Sequence, residues 1–203
     1  PSENQPISLS DDYKKSTNFI HSIKPKFRGK SIYNNKAIIG VLKADERVID
    51  VAPKVTTPVL FNSGTIEISG VVNGIDVLSE EKLFKISDYI IDGKVTDLLQ
   101  NNSIIIGKGL AEKMLLVRGD IIKITTSQGN LASLKIVGIS EFGIAEIDNI
   151  TSYTSLSTAQ KLLGESTNYI TDLQIKLFDM TSAPAVAKEF GDRFNLDTID
   201  YQT

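Results

Sequence analysis

Between residues 103 and 139 the hydrophobic period changes twice, and that limits what the chain can build more than any other feature of it. Ser103-Ile104-Ile105-Ile106 is a short, all-apolar run that reads as a buried strand. Gly107-Lys108-Gly109 follows, and then Leu110, Ala111, Met114 and Leu115 recur at the spacing of one helix face. Beyond the Gly119-Asp120 turn the period drops to two. Ile122 and Ile124 share a face of a strand over Ile121–Thr125, and Ala132, Leu134 and Ile136 share one over Leu131–Ile139. The Gln128-Gly129-Asn130 turn between them is short enough to make the two strands antiparallel neighbours. Strand, helix and hairpin in direct succession mark an α+β chain.

The same mixture runs on both sides. Residues 1–30 are polar, with a short strand expected at Ile7-Ser8-Leu9 and a helix over Tyr13–Ile23. Lys24 to Lys30 places four cations around Pro25 and Gly29, a solvated loop or, as the sharper reading, a contact for lipid headgroups or an anionic partner. A helix is expected from about Asn35 to Ala44, on Ile38, Ile39, Val41 and Leu42. Val48–Phe61 is rich in β-branched residues but carries Pro53 and Pro58, so it is expected to be a bent or edge strand. Asn62-Ser63-Gly64 then turns the chain into a strand over Thr65–Val72, with Ile66 and Ile68 on one face.

Ser79–Ile86 is expected to be a helix capped by Ser79, with Glu80 and Glu81 in its first turn against the positive end of the dipole. Asp92-Gly93 ends the next element. Ser157-Thr158-Ala159-Gln160 has the form of a capping box opening a helix that closes on Gly164. Tyr169–Leu177 alternates, with Leu173, Ile175 and Leu177 inward and Gln174 and Lys176 outward, as on a sheet with one solvated face. A helix over Asp179–Phe190 stopped by Gly191 and a strand over Leu196–Tyr201 complete the chain. Both ends read as βαβ, which points to two lobes: a discontinuous one from 1–62 plus 165–203, and a mixed α/β lobe with hairpins inserted at 63–164.

Little in this sequence can carry catalysis. There is no cysteine, which removes disulfides, thiolate nucleophiles and thiolate metal sites, and His21 is the one histidine, among polar residues with no motif around it. Neither a catalytic residue nor a metal ligand nor a cofactor site is assigned. Gly107-Lys108-Gly109 stands where a phosphate loop would, but it lacks the Walker pattern, and Glu112 occupies the place of the third glycine of a dinucleotide fingerprint. Asp76, Asp120 and Asp148 each adjoin a turn, where Asp bonds to nearby backbone. Lysine plus arginine (22) nearly balances aspartate plus glutamate (25), and aromatics make up 7%, which argues against nucleic-acid binding. No run approaches the ~18 apolar residues of a membrane span, and an opening of Pro1-Ser2-Glu3-Asn4 reads as a piece of a longer chain or as a processed one.

Taken in order, the central residues resemble the extracytoplasmic domain of MacB-type and lipoprotein-releasing ABC transporter permeases. The series runs Gly74-Ile75-Asp76, Gly93, Ile104-Ile105-Ile106-Gly107-Lys108-Gly109-Leu110-Ala111, Gly119-Asp120, Ile136-Val137-Gly138-Ile139, Glu141-Phe142-Gly143, Asp148 and Ser157-Thr158-Ala159-Gln160, over about residues 70–164. These positions look architectural rather than catalytic. The resemblance implies a domain held between two transmembrane helices of its own chain, on the outer (periplasmic or extracellular) side of the cytoplasmic membrane. It implies a second permease chain, identical or paralogous, and a cytoplasmic ATP-binding subunit as partners, and an envelope substrate such as a lipoprotein, or a periplasmic partner protein. No long extra hairpin is visible in residues 120–170, so the direct chaperone capture seen in one type of lipoprotein-releasing permease is not expected. The competing reading is a ligand-binding or enzymatic module of double-psi-barrel type, suggested by the helix, Gly-Asp turn and strand of Leu110–Thr125, which would need a pocket near Gly107–Gly109.

Overall fold

Strand β2 (Val48–Ser63) organises the molecule, because it is long enough to belong to two different sets of strands. In the structure, a computed structural model that describes residues 22–25 and 31–199, its first half pairs with β9 (Asp172–Leu177), from Val48↔Leu177 to Lys54↔Asp172. Its second half pairs with β6 (Ile121–Thr126), and β3 (Ile66–Ile75) runs along its other edge from Lys54↔Ile75 to Ser63↔Ile66. The turn at Gly64, with φ of 59°, closes this hairpin where the sequence places it.

On the β9 side the strand order is β10-β1-β9-β2, where β1 is Ser22–Pro25 and β10 is Leu196–Ile199. All three pairings are antiparallel, so β1 and β2 run parallel with β9 between them, and β9 and β10 run parallel with β1 between them. These are two interleaved split βαβ units, whose crossovers are α1 (Asn35–Lys43) and α6 (Ala183–Phe194). Ile38 and Leu42 of α1 and Ala183, Val186 and Phe190 of α6 bury against Val48, Val51, Leu173, Ile175 and Leu177.

On the other side the pairings close on themselves: β2 to β3, β3 to β8 (Thr151–Ser155), β8 to β5 (Ser103–Gly107), β5 to β7 (Leu131–Ser140), β7 to β6, and β6 back to β2. Closure leaves no free edge within the ring. Phe61, Val72, Ile104, Ile106, Ile122, Ile124, Leu134 and Ile136 fill it together with Leu110 and Met114 of α3 (Lys108–Met114). The edge strand β4 (Ile90–Gly93) adds to β7, and α4 (Ala145–Asp148) leads into β8. The remaining helices are α2 (Val77–Phe84) after β3 and α5 (Leu156–Leu163) after β8. Among the described residues no helix is long and apolar enough to cross a membrane.

Several expectations are corrected. β2 is central, not an edge strand. Thr56 N–H donates to the Thr171 hydroxyl on the β9 side, so by alternation the nitrogen of Pro58 points to the same side. There it falls between the end of the β9 pairing at Lys54 and the start of the β6 pairing at Val59. The nitrogen of Pro53 faces the β3 side one residue before that ladder begins. Neither proline removes a hydrogen bond the sheet needs. Ser22 and Ile23, expected at the end of a helix, are in β1, as are Lys24 and Pro25 of the expected cationic loop; the rest of both segments, the Ile7–Leu9 strand and His21 lie outside the described residues.

Leu115 is not on the buried face of α3. It caps the helix in the left-handed region and is 83% exposed. Ser79 does not cap α2; Asp76 does, its carboxylate accepting from Ser79 N–H at 2.9 Å. Ser155, not Ser157, caps α5 by accepting from Thr158 N–H, and Gln160 reaches elsewhere. Gly191 is buried within α6, which begins at Ala183 rather than Asp179 and stops at Asn195 in the left-handed region. Gln174 is buried, because α2 covers the second face of the β2–β9 pair.

Candidate functional site

The residues of the central series come together along the joints between elements. A β-carbon on Gly107 would fall on the main-chain carbonyl of Asp148, and one on Gly109 on the Asn149 side-chain oxygen. The α4–β8 link thus fills the space in front of the α3 N-terminus. Lys108, the cation a phosphate would meet, is 2.7 Å from Glu141 Oε1. The pocket required by the double-psi-barrel reading is therefore occupied by the protein itself at Gly107–Gly109.

Asp148 is buried, and its carboxylate accepts from Phe142 N–H at 2.8 Å and Gly143 N–H at 3.0 Å. That hold presents Phe142 to Tyr89, ring centroids 4.5 Å apart and nearly parallel, and to Tyr153, tilted at 5.9 Å. Gly93, at φ of 86°, and Gly138 allow β4 and β7 to cross closely: a side chain at Gly93 would strike the Val137 carbonyl, and one at Gly138 would come within 2.8 Å of the Asp92 carbonyl. Gly119 donates to the Ile136 carbonyl, the Asp120 carbonyl accepts from Ile136 N–H, and the Asp120 carboxylate accepts from Val117 N–H. Gly74 meets the Ala159 methyl where α5 lies on β3. Ala111 is buried on α3, and the Gln160 amide donates to the Thr167 and Tyr169 carbonyls, tying down the loop after α5.

A second cluster was not visible in the sequence. Glu80, expected in the first turn of α2 for its favourable meeting with the helix dipole, does lie in that turn, but it is 4% exposed. With its amide nitrogen turned toward α2, Gln174 donates to Glu80 Oε2 at 2.8 Å and Oε1 at 3.0 Å. Burial pushes the Glu80 carboxyl up to about 7; the Lys54 charge opposes that rise and the Asp76 charge adds to it. On β9, Asp172 is also buried, paired in register with Lys54 and accepting from the Thr171 hydroxyl. The Tyr153 hydroxyl is pushed up first by burial and then by the charges of Glu80 and Asp148. A signal for Glu80 exists in retrospect: Asp76 three residues before Ser79 is a better cap, and moving the helix start turns Glu80 inward with Val77, Leu83 and Phe84. Among the described residues no group of three or more His, Asp or Glu is placed to hold a metal ion.

Comparison with known proteins follows the same lines. The family model described as the MacB-like periplasmic core domain matches residues 8–193. The lipoprotein-releasing system transmembrane protein LolC of Neisseria meningitidis serogroup B (strain ATCC BAA-335 / MC58) is 31% identical over 151 residues, covering 68% of this chain. The chain spans 36% of the length of that relative. Among solved structures, the extracellular domain of the noncanonic ABC-type transporter YknZ from Gram-positive bacteria superposes with a TM-score of 0.61 at 15% identity, over 90% of this chain and all (100%) of that one. The periplasmic region of MacB from Actinobacillus actinomycetemcomitans gives 0.58 at 10% identity, over 91% and 89%. At these identities the two structures speak for the fold, and the sequence matches for the family. The chain belongs to the MacB-like periplasmic core domain family, the domain of MacB- and LolC-like ABC transporter permeases.

Proposed function

We propose that this chain is the outward-facing, non-catalytic domain of a permease that passes the work of cytoplasmic ATP hydrolysis to an envelope substrate, with a lipoprotein as the favoured cargo. The observation that carries the reading is the placement of the outermost described strands. β1 and β10 are antiparallel neighbours with Ser22 opposite Ile199, so the chain enters and leaves this body at one end of one pair of strands. A domain inserted between two membrane helices needs that arrangement, since both attachments must meet one bilayer surface. The likeness to LolC favours lipoprotein as cargo. The central glycines and Asp148 serve as packing joints in this reading, and the two split βαβ units and the closed ring act as two lobes sharing β2. A second permease chain and a cytoplasmic ATP-binding subunit are the partners it requires.

This chain contains no cysteine, so in a parent permease freed of any others its location is testable by labelling. A single cysteine at Ser127, in the exposed turn between β6 and β7, is expected to react with a membrane-impermeant maleimide in cells whose cytoplasmic membrane is intact. Reaction only after that membrane is broken would overturn the reading.

A further inference from the structure

Helix α2 joins the two sets of strands. Val77, with Ile86 just beyond the helix, packs into the core formed by Ile75, Val95, Leu98, Ile105 and Val137, on the closed-ring side. From the same helix, Leu83 and Phe84 close over Ala52 of β2, on the split βαβ side. Around this apolar contact lie three polar ties to the β2–β9 pair. Lys82 meets Asp50 at 3.1 Å, Lys176 donates to the Leu83 carbonyl, and Glu80 receives both donations from Gln174. The first two are at the rim, where water can replace them. The Glu80 contact is buried, so its carboxylate has left water for one neutral amide.

We propose that the Glu80–Gln174 contact is a proton-controlled clasp by which α2 holds the split βαβ sheet to the closed ring. Lys54 on β2 favours the ionised form of Glu80, Asp76 at the start of α2 opposes it, and Tyr153 on β8 lies close enough to feel its charge. Asp172 on β9 stands across from Lys54. Ionised Glu80 accepts both donations from the Gln174 nitrogen, whereas protonated Glu80 donates its hydroxyl to the Gln174 oxygen with the amide turned over, so the contact is kept in both forms and burial favours the protonated one.

The docked carboxyl, raised to about 7, therefore keeps a proton that it would lose near 4.5 once exposed to water. Between those values the docked helix binds more protons than the released one. Lowering the pH through this window tightens α2, and raising it through neutrality loosens α2, by at most about tenfold in the opening equilibrium per pH unit. Asp50, held down at about 2, does not titrate there. The clasp is a property of this chain whatever cargo or partner it serves, so it stands or falls separately from the transport reading.

Hydrogen exchange of the α2 amides at pH 5.5, 7 and 8.5, corrected for the intrinsic base-catalysed rate, reads the opening directly. The opening constant over Val77–Phe84 is expected to rise by tenfold or more from pH 5.5 to 8.5, and Glu80→Gln is expected to flatten that dependence. Glu81→Gln, whose half-buried carboxylate faces Ser87 rather than Gln174, should leave it intact. Both variants retain His21, so any difference between them does not come from its titration. A pH-independent wild type, or an unchanged dependence in Glu80→Gln, would overturn the proposal. If Glu80→Gln does not fold, the 13C titration of the Glu80 carboxyl in the wild type decides. A midpoint well above the ordinary value of 4.5 supports the clasp, and a midpoint at that value removes it.

Discussion

The main-chain carbonyl of Asp148 occupies the place where a β-carbon on Gly107 would stand, while the Asp148 carboxylate holds the backbone of Phe142 and Gly143. One residue thus fixes both the approach of α4 to β5 and the loop that carries the Tyr89–Phe142 stack.

Gly107→Ala is expected to destabilise the chain by about 1–3 kcal/mol, because the obstacle is backbone and cannot swing aside as a flexible side chain would. Asp148→Ala, which leaves the Phe142 and Gly143 N–H groups without their charged acceptor, is expected to cost about 1–3 kcal/mol. Urea unfolding of the variants gives both values. Losses within a few tenths of a kcal/mol would show that the joint relaxes freely.

At Gly74 the obstacle is a methyl group. Gly74→Ala pushes β3 against Ala159 and is expected to cost about 1–3 kcal/mol, and Ala159→Gly in the same chain is expected to recover part of it. A double-mutant cycle in urea measures the coupling. Strict additivity would mean that the two residues do not share the contact.

How much of this could be read from the residues depends on how far apart the contacting partners lie in the chain. The β2–β3 and β6–β7 hairpins rest on Gly64 and Gly129 and on period-two alternation next to them, and both stand where the alternation puts them. The class, the series of turns and the family resemblance came from the same local patterns. The glycines at 107 and 109 were visible as a turn, but the reason for them sits at Asp148 and Asn149, which no local pattern connects to them. Likewise β9 alternates like a strand with one wet face, and only the docking of α2, contributed by residues 77–84, buries Gln174. β2 reads as an edge because of its prolines, and its true place depends on where the β6 and β9 pairings begin and end.

Asp50 lies between Lys43 of α1 at 2.8 Å and Lys82 of α2 at 3.1 Å. Burial alone would raise its carboxyl, but Lys43, the Val51 N–H and Lys82 together lower it to about 2. Its stabilisation is complete above the unfolded value of 3.8 and disappears as the pH falls toward 2. Solvent at the exposed lysines weakens it to about 1–2 kcal/mol. Asp50→Asn should therefore lower the urea midpoint at pH 6 and have much less effect at pH 2.5. An equal loss at both values would show that the carboxylate's charge plays no part.

Excision tests the proposed transport role most directly. Because Ser22 and Ile199 face each other across β1 and β10, a short Gly-Ser linker is expected to bridge the gap left when residues 22–199 are removed from the proposed parent permease. The shortened permease, reconstituted with its ATP-binding subunit in vesicles loaded with a lipoprotein, is expected to retain ATP hydrolysis and to lose lipoprotein release. Release at the rate of the intact permease would contradict a coupling role for this domain.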